Sequence, residues 1–347
     1  MNKARAECFA VAVLSAIEAK SVLLTQIASH LPGQAKFKSK IRRLQNFFLQ
    51  LTINYTAVAI FILGILRNVI GSEQIILAID RTNWKARENN VNLLVLSVCL
   101  GDSGQPLLWS DLRHRGNSDT KKRIRIIRRL LRFMDVSRIK CLVGDREFVG
   151  IDWFSWLLAQ KIPFAMRLRK NMIIKPETGK ARTGKEHFTK LNKDEWLDLG
   201  ICEVCGVTMG VCGVRIHSGL LILGYAGVSA KDALKHYLQR WNIETGFAKL
   251  KTHGFNLESS RLRGGGKYER LMAVLAIGFA WCYAMGIWTI RSGNPIRFIK
   301  RLERNAESVF RRGQILLACL FLKTCSNIRT TSRKAFELLQ WACSVPI

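Results

Sequence analysis

Acidic residues are scarce in this chain: 25 Asp and Glu stand against 55 Lys and Arg in 347 residues, for a formal charge of +30. Such an excess repels itself in a folded chain and is tolerated best where a polyanion shares the surface. Nucleic acid is the leading candidate partner, and an anionic membrane surface the second. A disulfide framework is also lacking, because the ten cysteines are scattered without regular spacing. The opening MNKARAECFAVAVLSAIEAK sets Glu7 and Glu18 around a short apolar run and has no clear cleavage pattern. These absences argue against a secreted scaffold and for free thiols in a reducing cytosol. No internal repeat and no long low-complexity tract is present.

Two local patterns keep alternatives open. Cys202, Cys205, Cys212 and His217 are spaced C-x2-C-x6-C-x4-H and could supply four zinc ligands. The same segment reads as strands, where buried free cysteine is common. Among the apolar stretches, Ala57 to Leu66 is too short to span a bilayer. Leu271 to Ile290 is long enough, with twenty residues and no charge. Both of its flanks are basic and give no orientation signal. It is expected to be a buried core helix, with no membrane involved.

The hydrophobic fraction of 48% and the length suit a globular chain of two or three domains. Residues 1–72 read as helical, with apolar residues at helical spacing in Phe9 to Ile27 and in Leu51 to Leu66. Between them, KFKSKIRRLQNFF places Lys36, Lys38, Lys40, Arg42 and Arg43 beside Phe47 and Phe48. Cations next to an aromatic anchor suit a helical module that grips duplex DNA by its phosphates, with a solvated basic face as the plainer alternative.

The period then changes. Gln74 to Ile79 is a short apolar run rich in β-branched residues, expected to be a buried strand ending in Asp80. Asn92 to Leu100 and Pro106 to Leu112 read as two more strands. Asn117 or Ser118 is expected to cap a basic helix, Thr120 to Met134, carrying Lys121, Lys122, Arg123, Arg125, Arg128, Arg129 and Arg132. Ile139 to Gly144 is a fourth strand, ending in Asp145. A helix at Trp153 to Gln160 and a strand at Pro163 to Leu168 complete the first part of the core, 73–170. If the first and fourth strands are neighbours in a mixed sheet, Asp80 and Asp145 lie side by side. Residues 171–219 break the alternation and read as a β-strand insertion. Residues 220–290 return to the core, and 291–347 read as a helical, basic C-terminal region.

Ala233 to Lys251 reads as one helix of five turns. At about 100° per residue, Tyr237, Arg240, Glu244 and Lys251 fall within roughly 60° of one face. Leu234, Leu238, Ile243 and Leu250 are expected on the core side. Charged stripes on helices are ordinarily solvated, and Arg240 with Glu244 is an ordinary i,i+4 pair. Together with Asp80 and Asp145, however, Glu244 completes a set of three carboxylates. Such oxygen donors suit Mg²⁺ or Mn²⁺. Two ions about 4 Å apart can activate an attacking hydroxyl and stabilise the leaving oxygen of a phosphodiester.

These residues carry a resemblance. The helix matches Tyr-x2-Arg-x3-Glu-x6-Lys at Tyr237, Arg240, Glu244 and Lys251, while AIDRTNW at 78–84 and VGDREF at 143–148 look like two aspartate motifs of the same family. The chain resembles, over roughly residues 40 to 290, the bacterial insertion-sequence DDE transposases with the YREK signature, the insertion sequence four family. The resemblance implies an RNase H-like mixed-sheet catalytic core interrupted by a β-rich insertion, with a helical DNA-binding region before it and a helical tail after it. It implies Asp80, Asp145 and Glu244 as catalytic metal ligands for Mg²⁺ or Mn²⁺, in a site for two ions. It implies that Tyr237, Arg240 and Lys251 contact phosphates of terminal inverted repeats, and that a homodimer pairs two ends before cut-and-paste transfer into target DNA. Relatives form a hairpin and stabilise a flipped base on an aromatic residue of the insertion. Here Trp196, Phe188 and, further on, His217 are the candidates, with Trp241 beside Arg240 as another stacking residue. A stand-alone metal nuclease and an inactive DNA-binding repressor derived from a transposase are the alternative readings.

Overall fold

The structure, a computed structural model, describes residues 3–86, 89–262, 265–302 and 304–322. The expected C-terminal region is therefore described only as far as residue 322, and Arg263 and Gly264 of the basic connection lie outside the described residues.

Five helices come first: α1 (Lys3–Ala19), α2 (Leu24–Ser29), α3 (Phe37–Gln50), α4 (Tyr55–Ile65) and α5 (Arg67–Ile70). The Asn54 side chain accepts from the Ala57 amide at 3.1 Å and so caps α4. On α3, Leu44, Phe47 and Phe48 are buried while Lys38, Arg42 and Arg43 are exposed, so the basic run forms the outer face of an amphipathic helix.

A meander follows: β1 (Ile75–Ala86), β2 (Asn89–Leu100) and β3 (Ser103–Asp111). Then come α6 (Thr120–Leu130), β4 (Ile139–Gly144), α7 (Ile151–Ala159) and β5 (Phe164–Arg167). Next are β6 (Ile173–Pro176), β7 (Arg182–Thr183), α8 (Gly184–His187), β8 (Trp196–Val204), β9 (Val207–Ile216) and β10 (Gly219–Ala226). All ten strands share one sheet, in the order β3-β2-β1-β4-β5-β10-β9-β8-β6-β7. β1 pairs with β4, and β4 with β5, in parallel; every other neighbour pair is antiparallel. The chain is thus a mixed α/β protein. Segment 171–219 is β-rich and extends the same sheet, because β9 pairs with β10. The central strands are continuous apolar runs, as burial on both faces requires: Leu77, Ala78 and Ile79 on β1, and Cys141, Leu142 and Val143 on β4, are fully buried.

Two boundaries differ from the sequence expectation. β1 does not stop at Asp80 but continues to Ala86, because β2 keeps pairing with it from Val98 back to Asn89. Asp119, rather than Asn117 or Ser118, caps α6, its carboxylate accepting from the Lys122 amide at 2.7 Å. Asn117 and Ser118 are engaged elsewhere, as described below.

After β10 come α9 (Ala230–Leu238), α10 (Trp241–Ala248), a π-helical turn (Lys249–His253), α11 (Gly265–Arg291) and α12 (Val309–Leu322). α11 is long and apolar enough to cross a membrane, but 89% of its most apolar window is buried inside this fold. It packs against α1, α4, α12 and β3. Buried Gln105 of β3 donates to the Ala276 carbonyl at 2.9 Å, and Trp109 Nε1 donates to the Glu269 carbonyl at 3.0 Å.

Candidate active site

The parallel register of β1 and β4 places the two aspartates. Their pairing runs through Ala78 with Val143 and ends at Ile79 with Gly144. Asp80 and Asp145 are the next residue on each chain, at the point where β4 leaves the sheet and β1 goes on. The Arg81 amide donates to Asp80 Oδ1 at 2.7 Å, Arg240 Nη1 lies 3.4 Å from Asp80 Oδ2, and Arg167 Nη1 lies 3.4 Å from Asp145 Oδ1. Burial pushes the Asp80 carboxyl up to about 6, with Asp145 and Glu147 adding to the rise and the Arg81 amide and Arg240 opposing it.

The polar segment that ends in Lys251 is not one helix. Between α9 and α10 the amides of Gln239, Arg240, Asn242 and Ile243 each bond to the carbonyl three residues earlier, which tightens the chain and interrupts the helix. No proline or glycine stands at this break, and α10 is docked on the sheet. Asn242 Nδ2 donates to the Leu100 carbonyl at 2.8 Å. The backbone of α10 lies so close to the start of β3 that a Cβ on Gly246 would sit 2.2 Å from the Gly104 carbonyl oxygen. Part of the facing is the reverse of that expected. Leu238 is 54% exposed, whereas Tyr237 and Arg240 are 3% and 5% exposed. Ile243 and Leu250 are buried as expected.

Arg240 is the hinge of the site. Its Nη1 faces Asp80, its Nη2 binds Glu244 Oε1 at 2.8 Å, and its guanidinium carbon lies 5.7 Å from the ring centroids of both Tyr237 and Trp241. Lys251 Nζ donates to the Asn83 carbonyl at 2.9 Å and lies 3.5 Å from Glu258 Oε1, so it too reaches the β1 side. Asp80 and Asp145 are thus brought together directly, and Glu244 is tied to them through a guanidinium. Among the described residues no three His, Cys, Asp or Glu side chains lie close enough to share an ion.

The same statement covers the cysteine candidate. Cys202 and Cys212 sit on β8 and β9 facing different partners, Met209 and Asp198 respectively. Cys205 occupies the turn between those strands, with φ at 52°, and His217 lies in the turn at the far end of β9. Cys202 and Cys212 are buried free thiols, so the strand reading holds and the four do not converge. Of the aromatic candidates, Phe188 is wholly buried against Gly213, whereas Trp196 is 50% and Trp241 55% exposed. On α3, Arg42 and Arg43 are exposed, while Lys40 Nζ donates to the Leu31 carbonyl.

Behind the two aspartates lies a set of contacts that the sequence does not announce. Arg81 Nε binds Glu147 Oε2 at 2.5 Å, and its Nη1 and Nη2 donate to Asn92 Oδ1 at 3.2 Å and Asn117 Oδ1 at 3.0 Å. Glu147 Oε1 accepts from the Ser118 amide at 3.1 Å and hydroxyl at 2.9 Å. Arg81 follows Asp80, and Glu147 lies two residues after Asp145. Their contact therefore bolts β1 just past Asp80 to the turn just past Asp145, and both to the start of α6. The one available signal was the charge placed directly after each apolar strand, in IDR and GDRE.

The candidate ligands offer only carboxylate oxygen, and of these Asp80 and Asp145 stand side by side, a pair that would suit a hard divalent cation. A buried aspartate raised by a neighbouring aspartate is a group that such a cation would neutralise. Comparison with known proteins agrees in kind. A family model described as the transposase DDE domain matches residues 71–280. No curated protein matches the chain.

Proposed function

The chain belongs to the transposase DDE domain family, and from that premise we propose that it is a cut-and-paste DNA transposase acting at the terminal inverted repeats of an insertion sequence. The supporting observation is the β1–β4 register, which sets Asp80 beside Asp145, with Arg240 facing Asp80 and pairing with Glu244. We read the core as RNase H-like, Tyr237, Arg240 and Lys251 as the phosphate-contacting residues, and 171–219 as the insertion.

In this reading Asp80, Asp145 and Glu244 would hold Mg²⁺ or Mn²⁺, in a site for two ions. Such ions, when bound, would polarise the scissile phosphodiester and activate the attacking oxygen. The protein's own part is positional. Asp80 is fixed by its β-ladder and by the Arg81 amide. Glu244, with a side chain 46% exposed, can rotate away from Arg240 toward the aspartates. Arg240, once released from the two carboxylates, offers its planar fork to non-bridging phosphate oxygens. Lys251 supplies a second cation from the same side, and Tyr237 walls the site behind Arg240. Exposed Trp241 and Trp196 are the residues for stacking on a flipped base, whereas Phe188 serves the core. Lys40, Arg42 and Arg43 belong to the helical region that grips the end, with Arg42 and Arg43 facing solvent. Two protomers pair two ends, in the cytosol and without a membrane.

The test is Mg²⁺-dependent cleavage of DNA carrying the repeats that flank the coding region, followed by joining to a second duplex. Cleavage and joining are the expected result. Cleavage without joining would make the protein a nuclease, and binding without cleavage in Mg²⁺ or Mn²⁺ would make it a repressor.

A further inference from the structure

The basic helix α6 plays no part in the site just described, yet its charges are sorted. Lys122 donates to the Leu112 carbonyl at 3.0 Å and pairs with Asp119; buried Arg123 binds Ser118 and lies over the Phe148 ring; Arg129 reaches the Trp109 carbonyl at 3.5 Å. These cations serve the fold. The remaining four, Lys121, Arg125, Arg128 and, in the turn just past the helix, Arg132, are all exposed. Their spacing of 4, 3 and 4 residues puts them in one row along the outer face.

Among the described residues none of the four has a carboxylate within ion-pair distance. Arg128 lies 5.9 Å from the Trp156 ring centroid. Arg125 shares a shallow recess with Asp111, Arg113, Lys122 and Glu269, and it is the member of the row with acidic neighbours. Like charges at i,i+4 destabilise a helix by roughly 0.2–0.5 kcal/mol per pair. The row therefore costs stability, which the Trp156 ring beside Arg128 and the acidic neighbours of Arg125 offset only in part.

Its position is also informative. α6 begins where Asn117 accepts from Arg81 and Ser118 donates to Glu147, each of which lies within two residues of one of the two aspartates. From there the row leads away for about 16 Å at 1.5 Å per residue. That is roughly half a turn of duplex. It matches a line of phosphates and is too long for a single one. α6 carries no aromatic residue, so it has no platform for unpaired bases.

We propose that Lys121, Arg125, Arg128 and Arg132 form a phosphate-backbone ridge that holds duplex DNA where it leaves the active site, separately from the YREK face. This rests on the transposase reading for the origin of the duplex, but its contact chemistry is tested without cleavage. The probe is the full chain binding a short duplex of unrelated sequence, followed by anisotropy across a salt series. Each phosphate contact contributes about 0.9 to the slope of log affinity against log salt. The variant K121Q/R125Q/R128Q/R132Q should flatten that slope by about three to four and weaken binding at low salt by at least about tenfold. Its melting temperature should be unchanged or raised, because repulsion along the helix is relieved. R125K/R128K/R132K should keep the wild-type slope. An unchanged slope in the glutamine variant overturns the ridge, as does a loss of binding matched by a fall in melting temperature in both variants. Repeating the series with a duplex carrying the element's end separates the sources: greater loss on the end assigns the ridge to donor DNA, and equal loss assigns it to any duplex, target included. If the slope changes as expected but no end is ever cleaved, the ridge stands and the transposase reading falls. If cleavage occurs and the slope does not change, the reverse holds.

Discussion

The two halves of the candidate site are held in opposite ways. Asp80 lies in β1 and Asp145 directly follows β4, two paired parallel strands inside a ten-stranded sheet, and Arg81 with Glu147 clamps the residues that follow them. Glu244 rides on a short helix, half exposed, and meets the aspartates only through Arg240. One half is set by backbone hydrogen bonds and cannot shift without breaking the sheet. The other is set by side chains and can change partners. A phosphodiester-processing site needs both, namely a rigid seat for the ions and an adjustable arm that closes when metal and DNA arrive.

The contrast can be broken from either side. Asp145→Asn removes a ligand from the rigid half, and Glu244→Gln removes the adjustable one. Each should lower Mg²⁺-dependent end cleavage about a thousandfold or more, since groups that act as a unit fail as a unit. Full cleavage by either variant, measured on end-bearing DNA, would remove that residue from the site. Glu147→Ala leaves the ligands intact but frees the Arg81 guanidinium. It should cost about 2–4 kcal/mol in denaturant unfolding. It should also weaken Mn²⁺ activation about 10–100-fold, as loss of a supporting contact does. An unchanged Mn²⁺ titration with lowered stability would make the clamp purely structural.

Smaller effects sharpen the same picture. Gly246→Ala places a methyl against the Gly104 carbonyl and should push α10 off the β2–β3 hairpin. The expected loss is about 1–3 kcal/mol, read by thermal melting, with Glu244 activity falling alongside it. Asp80→Asn should act in the opposite direction on stability. Burial raises the folded carboxyl to about 6 from the ordinary 3.8. Between those values the unfolded chain has released a proton that the folded chain still holds, so stability falls as pH rises through that window. Removing the charge should therefore stabilise the metal-free protein by about 1–3 kcal/mol at neutral pH, and by nothing below about pH 3.8. Melting curves at both pH values check it.

How much was legible follows the same division. The strands before the two aspartates could be read because QIILAI and IKCLVG are apolar runs of the right length, and local pattern decides such strands. That β1 runs on past Asp80 could not be read, because RTNWKA is held in the sheet by pairing with β2 rather than by its own hydrophobicity. The Tyr237 to Lys251 segment has the composition of one straight helix. Its break comes from Asn242 bonding to Leu100 and Gly246 meeting Gly104, contacts with residues far away in the chain. Leu238 faces water and Arg240 does not, the reverse of what one straight helix with a solvated polar stripe would give. Arg81 and Glu147 were in plain view beside the aspartates, but their mutual contact depends on the β1–β4 register. The cysteine spacing suggested a metal site that strand geometry then dispersed, since neighbours along a hairpin need not share a face.

The most direct test of the account is a crystal of the protein with end-bearing DNA and Mn²⁺, examined by anomalous diffraction at the manganese edge. The expected result is anomalous density between Asp80, Asp145 and Glu244, with Arg240 withdrawn from the carboxylates and bound to a phosphate. Manganese elsewhere, or Glu244 still paired with Arg240 while DNA fills the site, would contradict it.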